Sequence, residues 1–219
     1  MGASIEGAPV YHLIRDAIIE GRLAPNERLV AAELARRHGT STNPVREALQ
    51  LLRGEGFVIF AQNRGARVRP IDQDFVRDIS EIGVMIEPVL TRWFVGMATE
   101  ADIAELERLQ DLIEDNNFAD PQRHSELDTA FHTVMYQRHY NRHVAAMWWK
   151  HREVLRAVSR RFNFTLARRA TVLREHRELI RLTRAQDADK AAEVIAAHVE
   201  GSGRHILEQM RALNTTRAG

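Results

Sequence analysis

Residues 21–69 read GRLAPNERLVAAELARRHGTSTNPVREALQLLRGEGFVIFAQNRGARVR, and this stretch decides the fold of the N-terminal part. Apolar residues recur at helical spacing over 30–38 and 43–54, with Gly39 between the two segments. A β-prone run at 57–60 and a second at 66–68 flank turn residues 63–65, which predicts a hairpin. Another helix is predicted over 9–21. This order is typical of a winged helix-turn-helix with three helices plus a β-hairpin wing, whose partner is double-stranded DNA.

The composition narrows the class of protein. The chain has 219 residues, 44% of them hydrophobic, and no cysteine, which excludes disulfides and thiolate metal sites. Residues 1–70 contain ten Arg against seven Asp and Glu, an excess of +3, whereas the whole chain carries only +1. No apolar run reaches membrane-spanning length and no signal sequence is visible, so we expect a cytoplasmic protein without a membrane partner.

A domain boundary is predicted at Pro70-Ile71-Asp72, because proline disfavours helix before it and Asp72 can cap a following helix. The predicted domains are a DNA-binding domain over 1–70 and an all-helical domain over 71–219. Helical patterns in the second domain run over 72–97, 100–117, 120–139, 143–163, 166–185 and 187–214. The fold class is therefore mainly α, with an antiparallel bundle of about six helices at the C-terminal end.

Candidate DNA-binding residues lie at two places in the N-terminal motif. The first is the start of the third helix, where a recognition helix meets base edges and phosphates: Ser41, Thr42, Asn43 and Arg46. The second is the wing, where Arg64 and Gly65 can approach the minor groove or a phosphate. A lone arginine is more often solvated surface, so the ordered combination of helices, turn and hairpin carries this prediction.

A candidate metal site comes from four residues of the helical half. Asp128 and His132 are four residues apart and project from one helix face, while His176 and His198 stand among apolar neighbours on the last two helices. A bundle can bring such residues together around one ion, and three imidazoles with one carboxylate suit Zn²⁺, Ni²⁺, Mn²⁺ or Fe²⁺ but not Ca²⁺. Spacing alone leaves open that these are ordinary hydrogen-bonded core histidines. His124, one turn before Asp128, is interpreted as a more solvent-exposed residue near the start of its helix. The alternatives are a spare metal ligand and an effector contact.

The segments GRLAPNERL, ELARRHGTS, NPVREAL and EGFV followed by NRGARV resemble the GntR family of bacterial transcription regulators. Arg46 matches an arginine of the family's recognition helix. Thr42 departs from the family pattern, which usually has an arginine between the positions of Ser41 and Asn43 and reads a guanine with it. The resemblance therefore implies an operator that differs at that base.

The C-terminal half resembles the FCD ligand-binding domain of the FadR subfamily, with a helix number nearer to the VanR branch. Asp128, His132, His176 and His198 match that domain's ligand positions one for one, which implies a divalent ion, with zinc the first choice. The resemblance also implies a small effector, often a carboxylate, bound near the metal, with Arg152 and Arg156 as candidate cations. The family's usual effector-facing arginine is absent, since Gly83 or Val84 occupies its place. This departure predicts a larger or less acidic ligand that uses the space at Gly83.

These features together predict a homodimeric, ligand-responsive repressor that binds a pseudo-palindromic operator. The alternative from another class is a metal-dependent enzyme with an appended DNA-binding domain, which would need a general base such as Glu126 or Glu175 beside the metal. A third alternative is a structural DNA-binding protein that has no effector.

Overall fold

The computed structural model describes residues 8–61, 65–159, 162 and 164–218. Within these ranges the chain divides between Asp72 and Gln73 into two compact units. No described helix is both long and apolar enough to cross a membrane. The mainly helical fold class is confirmed, with a small antiparallel sheet confined to the first unit.

The first unit contains three helices and a three-stranded sheet. Its elements in chain order are α1 (Ala8–Ile19), β1 (Arg28–Leu29), α2 (Ala31–His38), α3 (Thr42–Glu55), β2 (Val58–Ala61) and β3 (Gly65–Val68). The strand order is β1-β3-β2, both pairs are antiparallel, and Ile59 lies opposite Arg67 in the wing. Sequence reasoning missed β1, because a two-residue strand has no periodicity of its own and forms only by pairing with β3.

The turn between α2 and α3 depends on Gly39, which ends α2 in the left-handed region at φ 63°. A side chain is strained there, so glycine is the residue that allows the sharp change of direction. The helix α3 then buries Val45, Ala48, Leu49 and Leu52, and this face packs on α1 and α2. Its N-cap is Ser41, whose side chain makes no capping hydrogen bond, and Asn43 lies inside the first turn rather than at the cap.

The second unit contains six helices among the described residues, as predicted. They are α4 (Gln73–Met97), α5 (Glu100–Asn116), α6 (Pro121–Tyr136), α7 (Arg142–Ser159), α8 (Leu166–Arg184) and α9 (Ala188–Ala218). Local signals begin several of them: Thr99 forms a capping box with Asp102 at α5, and Asp120 caps α6 ahead of Pro121. The core includes Phe94 of α4, Phe131 of α6 and Leu179 of α8, all buried.

Glycines allow α4 and α9 to approach each other closely. A Cβ added at Gly83 would lie 2.9 Å from Val199 Cγ1, and one at Gly203 would lie 2.5 Å from Ser80 Oγ. Val199 of α9 therefore occupies the space in the direction of a Gly83 Cβ, and the expectation of a larger ligand beside Gly83 stays a prediction. A glycine inside a helix costs up to about 1 kcal/mol relative to alanine, which the close contact must offset.

We expect Gly203→Ala to destabilise the protein by about 1–3 kcal/mol, since the added methyl group overpacks the contact with Ser80. Gly96→Ala is the matched control, because Gly96 lies in α4 and a Cβ added there would meet nothing within 4 Å. That control should be neutral or gain about 0.5–1 kcal/mol from helix propensity. Urea unfolding measures both free energies, and equal behaviour of the two variants would contradict the close-packing account.

Candidate metal centre, cavity and DNA-reading helix

The four predicted ligand residues come together in the second unit. Asp128 and His132 lie on α6, His176 on α8 and His198 on α9, and one ligand atom from each lies within 4.8 Å of all the others. The three histidines are buried, at 5% exposure or less. Two distances show how Asp128 Oδ1 lies between rings: it is 3.9 Å from His132 Nε2 and 3.6 Å from His176 Nε2.

The outward nitrogens of two histidines are held by polar partners, of which Gln110 is buried and Glu175 is partly buried. The Nδ1–H of His176 donates to Gln110 Oε1 at 3.0 Å, and the Nδ1–H of His198 donates to Glu175 Oε2 at 2.9 Å. These bonds fix each ring's tautomer, so that Nε2 keeps its lone pair. Glu175 is itself bound by the buried Arg168, which also donates to the carbonyl of His198 at 2.8 Å. The sequence pattern did not reveal Gln110 or Arg168 as partners of the site.

The cluster leaves buried nitrogens without partners in the part of the chain that the structure describes. These atoms are His132 Nδ1, His132 Nε2 and His176 Nε2. An unpaired buried polar atom costs roughly 1–3 kcal/mol, so a group that accepts the lone pairs is favoured here. Zinc bonds to histidine nitrogen or carboxylate oxygen are about 2.0–2.2 Å long, and the four ligand atoms need only a small inward movement to meet them. The residues therefore fit a divalent transition-metal ion.

Charge states in the cluster also suit metal binding. Burial lowers the pKa of His132 and of His176 well below the usual histidine value, which keeps both rings neutral. Burial alone would raise the pKa of Asp128, but the guanidinium of Arg152 and the neighbouring imidazoles together outweigh it and hold that pKa well below its ordinary range. Metal ligands must be deprotonated, and Asp128, His132 and His176 satisfy that condition at neutral pH.

Acidification should therefore destabilise the metal-free protein. The pKa of each imidazole is lower in the folded than in the unfolded protein, so the unfolded chain binds the proton more readily. The free energy of unfolding therefore falls as the pH drops below about 6.5, the histidine pKa of the unfolded chain. His132 and His176 together can remove up to about 2.7 kcal/mol per pH unit in this window. Asp128 has a lowered pKa and loses its contribution only below about pH 4, outside the window. Urea unfolding in chelator at pH 7.5, 6.0 and 5.0 measures the slope.

The control for this pH dependence is the double variant His132→Gln with His176→Gln, which carries no ionisable group at either position. Its unfolding free energy should change much less between pH 6.5 and pH 5. An equally steep slope in both proteins would show that other groups cause the acid sensitivity.

A cavity of about 130 Å³ adjoins the cluster, and Asp128 and His198 belong to its wall. Both predicted effector-binding arginines also line it. Arg152 makes an ion pair with Asp128 Oδ2 and donates to the Asp128 carbonyl at 3.2 Å, while Arg156 donates to Glu153 at 2.9 Å. Gly83 belongs to the wall as well, beside the buried Glu87, which lies 3.8 Å from His132 Nδ1. Glu87 follows Gly83 by one helical turn, yet its place beside the cluster was not predicted.

The histidines outside the predicted ligand set are mostly not surface residues. The interpretation of His124 as a more solvent-exposed residue is wrong. Its side chain is 4% exposed, packs on Phe118 and lines the cavity. His139 and His205 are also buried and make ring contacts with neighbours, whereas His143 is exposed. His124 is buried because Phe118, in the loop before α6, packs on its ring. The spacing of apolar residues along a helix does not predict such a contact.

In the first unit, α3 presents a polar stripe opposite its buried face. Asn43, Arg46, Gln50 and Arg53 recur at intervals of three or four residues and are exposed, and Ser41 precedes them. Thr42 is half-buried at the first position of the helix. In the wing, Gly65 begins β3 with φ 72° and is exposed, while Arg64 lies outside the described residues.

Comparison with known proteins identifies the two units. The FCD domain family matches residues 78–201, and the family "Bacterial regulatory proteins, gntR family" matches residues 7–68. The galactonate operon transcriptional repressor of Escherichia coli K12 is 27% identical over 213 residues, covering 87% of this chain and 92% of that protein. The transcriptional repressor RspR of the same strain is 26% identical over 214 residues, covering 93% and 88%.

A solved structure shares the fold. A GntR transcriptional regulator from Rhodococcus sp. RHA1 superimposes with a TM-score of 0.71 at 20% sequence identity, covering 94% of this chain and 99% of that one. At this identity the likeness concerns the fold alone.

Proposed function

The chain belongs to the gntR family of bacterial regulatory proteins and carries an FCD domain, and from this premise we propose that it is a ligand-responsive transcriptional repressor. It binds a pseudo-palindromic operator as a homodimer and senses a small effector in the helical unit. The observation that carries the proposal is the convergence of Asp128, His132, His176 and His198 beside a cavity, in a chain with a winged helix. The VanR-like branch remains a prediction.

Each of the two units is proposed to have its own role. Residues 1–70 form the winged helix-turn-helix DNA-binding domain, and residues 71–219 form the metal- and effector-binding domain. On DNA, α3 enters the major groove with Ser41, Thr42, Asn43 and Arg46 at its leading end. Arg64 and Gly65 of the wing contact the minor groove or a phosphate. Two copies of the motif read two half-sites, because a two-fold symmetric dimer matches a pseudo-palindrome.

The proposed cofactor is Zn²⁺, with Ni²⁺, Mn²⁺ and Fe²⁺ as the other ions that this ligand set accepts. When bound, such an ion would supply positive charge and Lewis acidity, and it would attract a carboxylate oxygen of the effector as a ligand additional to the four protein ones. Asp128, His132, His176 and His198 hold the ion, and Gln110 and Glu175 orient the two outer imidazoles. Arg152 stabilises the charge of Asp128 and, with Arg156, supplies the cations that an anionic effector meets in the cavity.

Effector binding is proposed to act through α4 and α9, because both helices contribute to the cavity wall and pack closely on each other. The proposed hinge is Pro70–Gln73, and α4 begins at its last residue. Regulation requires different effector affinities for the DNA-competent and incompetent arrangements. A coupling of about 1–3 kcal/mol would change operator affinity roughly 5–150-fold.

The relatives compared above are named as transcription regulators, which supports a regulator over a metalloenzyme. The two candidate general bases of the enzyme alternative are also unfavourably placed for catalysis. Glu126 is exposed and pairs with Arg123, and Glu175 is engaged by Arg168 on the outer side of His198. The third alternative, a structural DNA-binding protein without an effector, does not account for the buried ligand set or for the cavity beside it.

The proposal is tested by two measurements on the same preparation. Native mass spectrometry, compared with a denatured sample, should show a dimer with about one divalent ion per subunit. Selection from a random library of 30-base-pair duplexes should yield an inverted repeat. A monomer, a metal-free species that takes up no Zn²⁺ or Ni²⁺, or the absence of sequence enrichment would each overturn the corresponding part.

A further inference from the structure

On the premise of the proposed function, we infer that Arg168 is a positioning residue for the metal ligand His198, and that Gly201 provides the space it needs. Three features of the structure support this role. Arg168 is buried, and its guanidinium contacts both the side-chain partner of His198 and the backbone carbonyl of His198. A side chain at Gly201 would collide with that guanidinium.

Arg168 is a buried arginine in the first turn of α8. The residue is 8% exposed, and its backbone N–H donates to Oγ1 of Thr165, the N-cap of the helix, at 3.2 Å. Arginine is almost never buried without partners, because taking a charged group out of water is costly. The partners of this guanidinium therefore indicate which part of the molecule its charge serves.

The guanidinium of Arg168 divides its hydrogen bonds between α8 and α9. Nη1 donates to Oε2 of Glu175, which lies about two turns further along α8, at 3.2 Å. Nη2 donates to the carbonyl of His198 at 2.8 Å and to Ser202 Oγ at 2.7 Å, both on α9. One side chain thus joins the two helices at the place where α9 carries its metal ligand.

His198 is held at two points as a result. Its Nδ1–H donates to Glu175 Oε2 at 2.9 Å, and the same oxygen accepts from Arg168 Nη1. Its backbone carbonyl accepts from Arg168 Nη2. The first contact fixes the rotation of the imidazole, and the second fixes the helix backbone that carries it. Groups that orient a ligating histidine contribute to metal affinity, so a residue that supports both contacts should contribute as well.

The shape of the guanidinium suits this position better than an ammonium would. Its donors form a rigid planar fork, so Nη1 and Nη2 can serve α8 and α9 at the same time. A lysine carries all its donors on one nitrogen. The charge of Arg168 also faces the carboxylate of Glu175, which makes their hydrogen bond a charge-assisted one.

Gly201, three residues after His198 on α9, leaves room for the guanidinium. A Cβ added at Gly201 would lie 2.7 Å from Arg168 Nη1 and 3.2 Å from Arg168 Cζ. The end of an arginine side chain moves more easily than two packed helices, so an added methyl group should displace the guanidinium from its partners. Glycine inside a helix is unfavourable relative to alanine, and the close approach of Arg168 accounts for it here.

A purely structural role for Arg168 predicts a different result. If the guanidinium only joins α8 to α9, its loss changes the free energy of unfolding but not the affinity of the folded protein for Zn²⁺. If it positions His198, the affinity falls even in variants that remain fully folded. The two roles are therefore separated by comparing urea unfolding with the Kd for Zn²⁺.

The test is competition for Zn²⁺ between the full chain and a chromophoric chelator. We expect Arg168→Met to raise the Kd about tenfold, the low end of the loss typical when a partner of a metal ligand is removed. Gly201→Ala should raise the Kd about three- to tenfold, although it keeps every hydrogen-bonding group. Arg168→Lys should lie between Arg168→Met and the unaltered protein, since it retains the charge but not the fork.

The double variant Arg168→Met with Gly201→Ala tests whether the two residues act together. Its Kd should equal that of Arg168→Met, because the methyl group then has no guanidinium to displace. The absorption spectrum of the Co²⁺-loaded protein should change in both single variants, since it depends on the arrangement of ligands around the ion. If Arg168→Met does not fold, Gly201→Ala still decides the question, because alanine favours the helix.

Arg174→Met and Gly96→Ala are the matched controls. Arg174 is exposed on α8 directly before Glu175, and a Cβ added at Gly96 would meet nothing within 4 Å. Both controls should bind Zn²⁺ as the unaltered protein does. Unchanged Kd values in the folded single variants, or losses that add up in the double variant, overturn the inference and leave the proposed metal site standing. If the unaltered protein itself takes up no Zn²⁺, the proposed metal site and the inference fail together.

Discussion

His132→Ala is expected to abolish stoichiometric binding of a divalent ion, with the Kd for Zn²⁺ rising more than about 100-fold. His132 is fully buried at the centre of the cluster, and both of its ring nitrogens lack hydrogen-bond partners within the described ranges. Even removal of a residue that only orients a metal ligand typically costs 10–100-fold in affinity, and removal of a ligand should cost more. Competition with a chromophoric chelator measures the Kd.

Two further variants make this result interpretable. His132→Gln retains most of the side-chain volume, so it separates the loss of a ligand from the loss of packing. His143→Ala removes an exposed histidine of α7 and should bind Zn²⁺ as the unaltered protein does. Retention of tight Zn²⁺ binding by His132→Ala and by His198→Ala, in a folded protein, would show that the ligand set is wrong.

Arg46→Ala is expected to weaken binding to the selected operator by about 1–3 kcal/mol, or roughly 5–150-fold. Arg46 is exposed on α3, in the stripe opposite the buried face, where a docked duplex can reach its guanidinium. The expectation concerns affinity rather than folding, because the core residue Val45 beside it is untouched. Fluorescence anisotropy with a labelled duplex measures the change.

The salt dependence of Arg46→Ala tells which contact was lost. A phosphate contact should weaken binding to all sequences alike and reduce the slope of log Kd against log salt by about 1. A base contact should relax the preference at one position of each half-site. Arg181→Ala is the control, since Arg181 is an exposed arginine of α8 that pairs locally with Glu178. Unchanged operator affinity in Arg46→Ala would remove α3 from its role as recognition helix.

Much of the fold could be predicted from the sequence because the signals are local. Helical spacing of apolar residues, Gly39 after α2 and the capping residues Thr99 and Asp120 act within a few positions along the chain. The two-residue strand β1 was missed because it depends on pairing with β3, about forty residues later. The end points of several helices also shifted by one or more residues, as helix ends depend on their surroundings.

The metal ligands stood out for a different reason. Asp128 and His132 share a helix face by spacing alone. His176 and His198 were added because they stand among apolar neighbours on the last two helices, and the family resemblance then matched all four positions. The sequence by itself thus determined the helices, the motif order and the residue types available for chemistry. The tertiary structure decided that four side chains from three helices meet within 4.8 Å.

The tertiary structure also decided which side-chain atoms remain available for a metal ion or a ligand. Gln110 and Glu175 hold the outer nitrogens of His176 and His198, and Val199 occupies the space beside Gly83 that the sequence alone left open. The physical reason is that periodicity fixes only where a side chain lies around its own helix axis. Contacts between helices depend on their crossing angles and on the side chains packed between them, and these are set by the whole core rather than by neighbours in sequence.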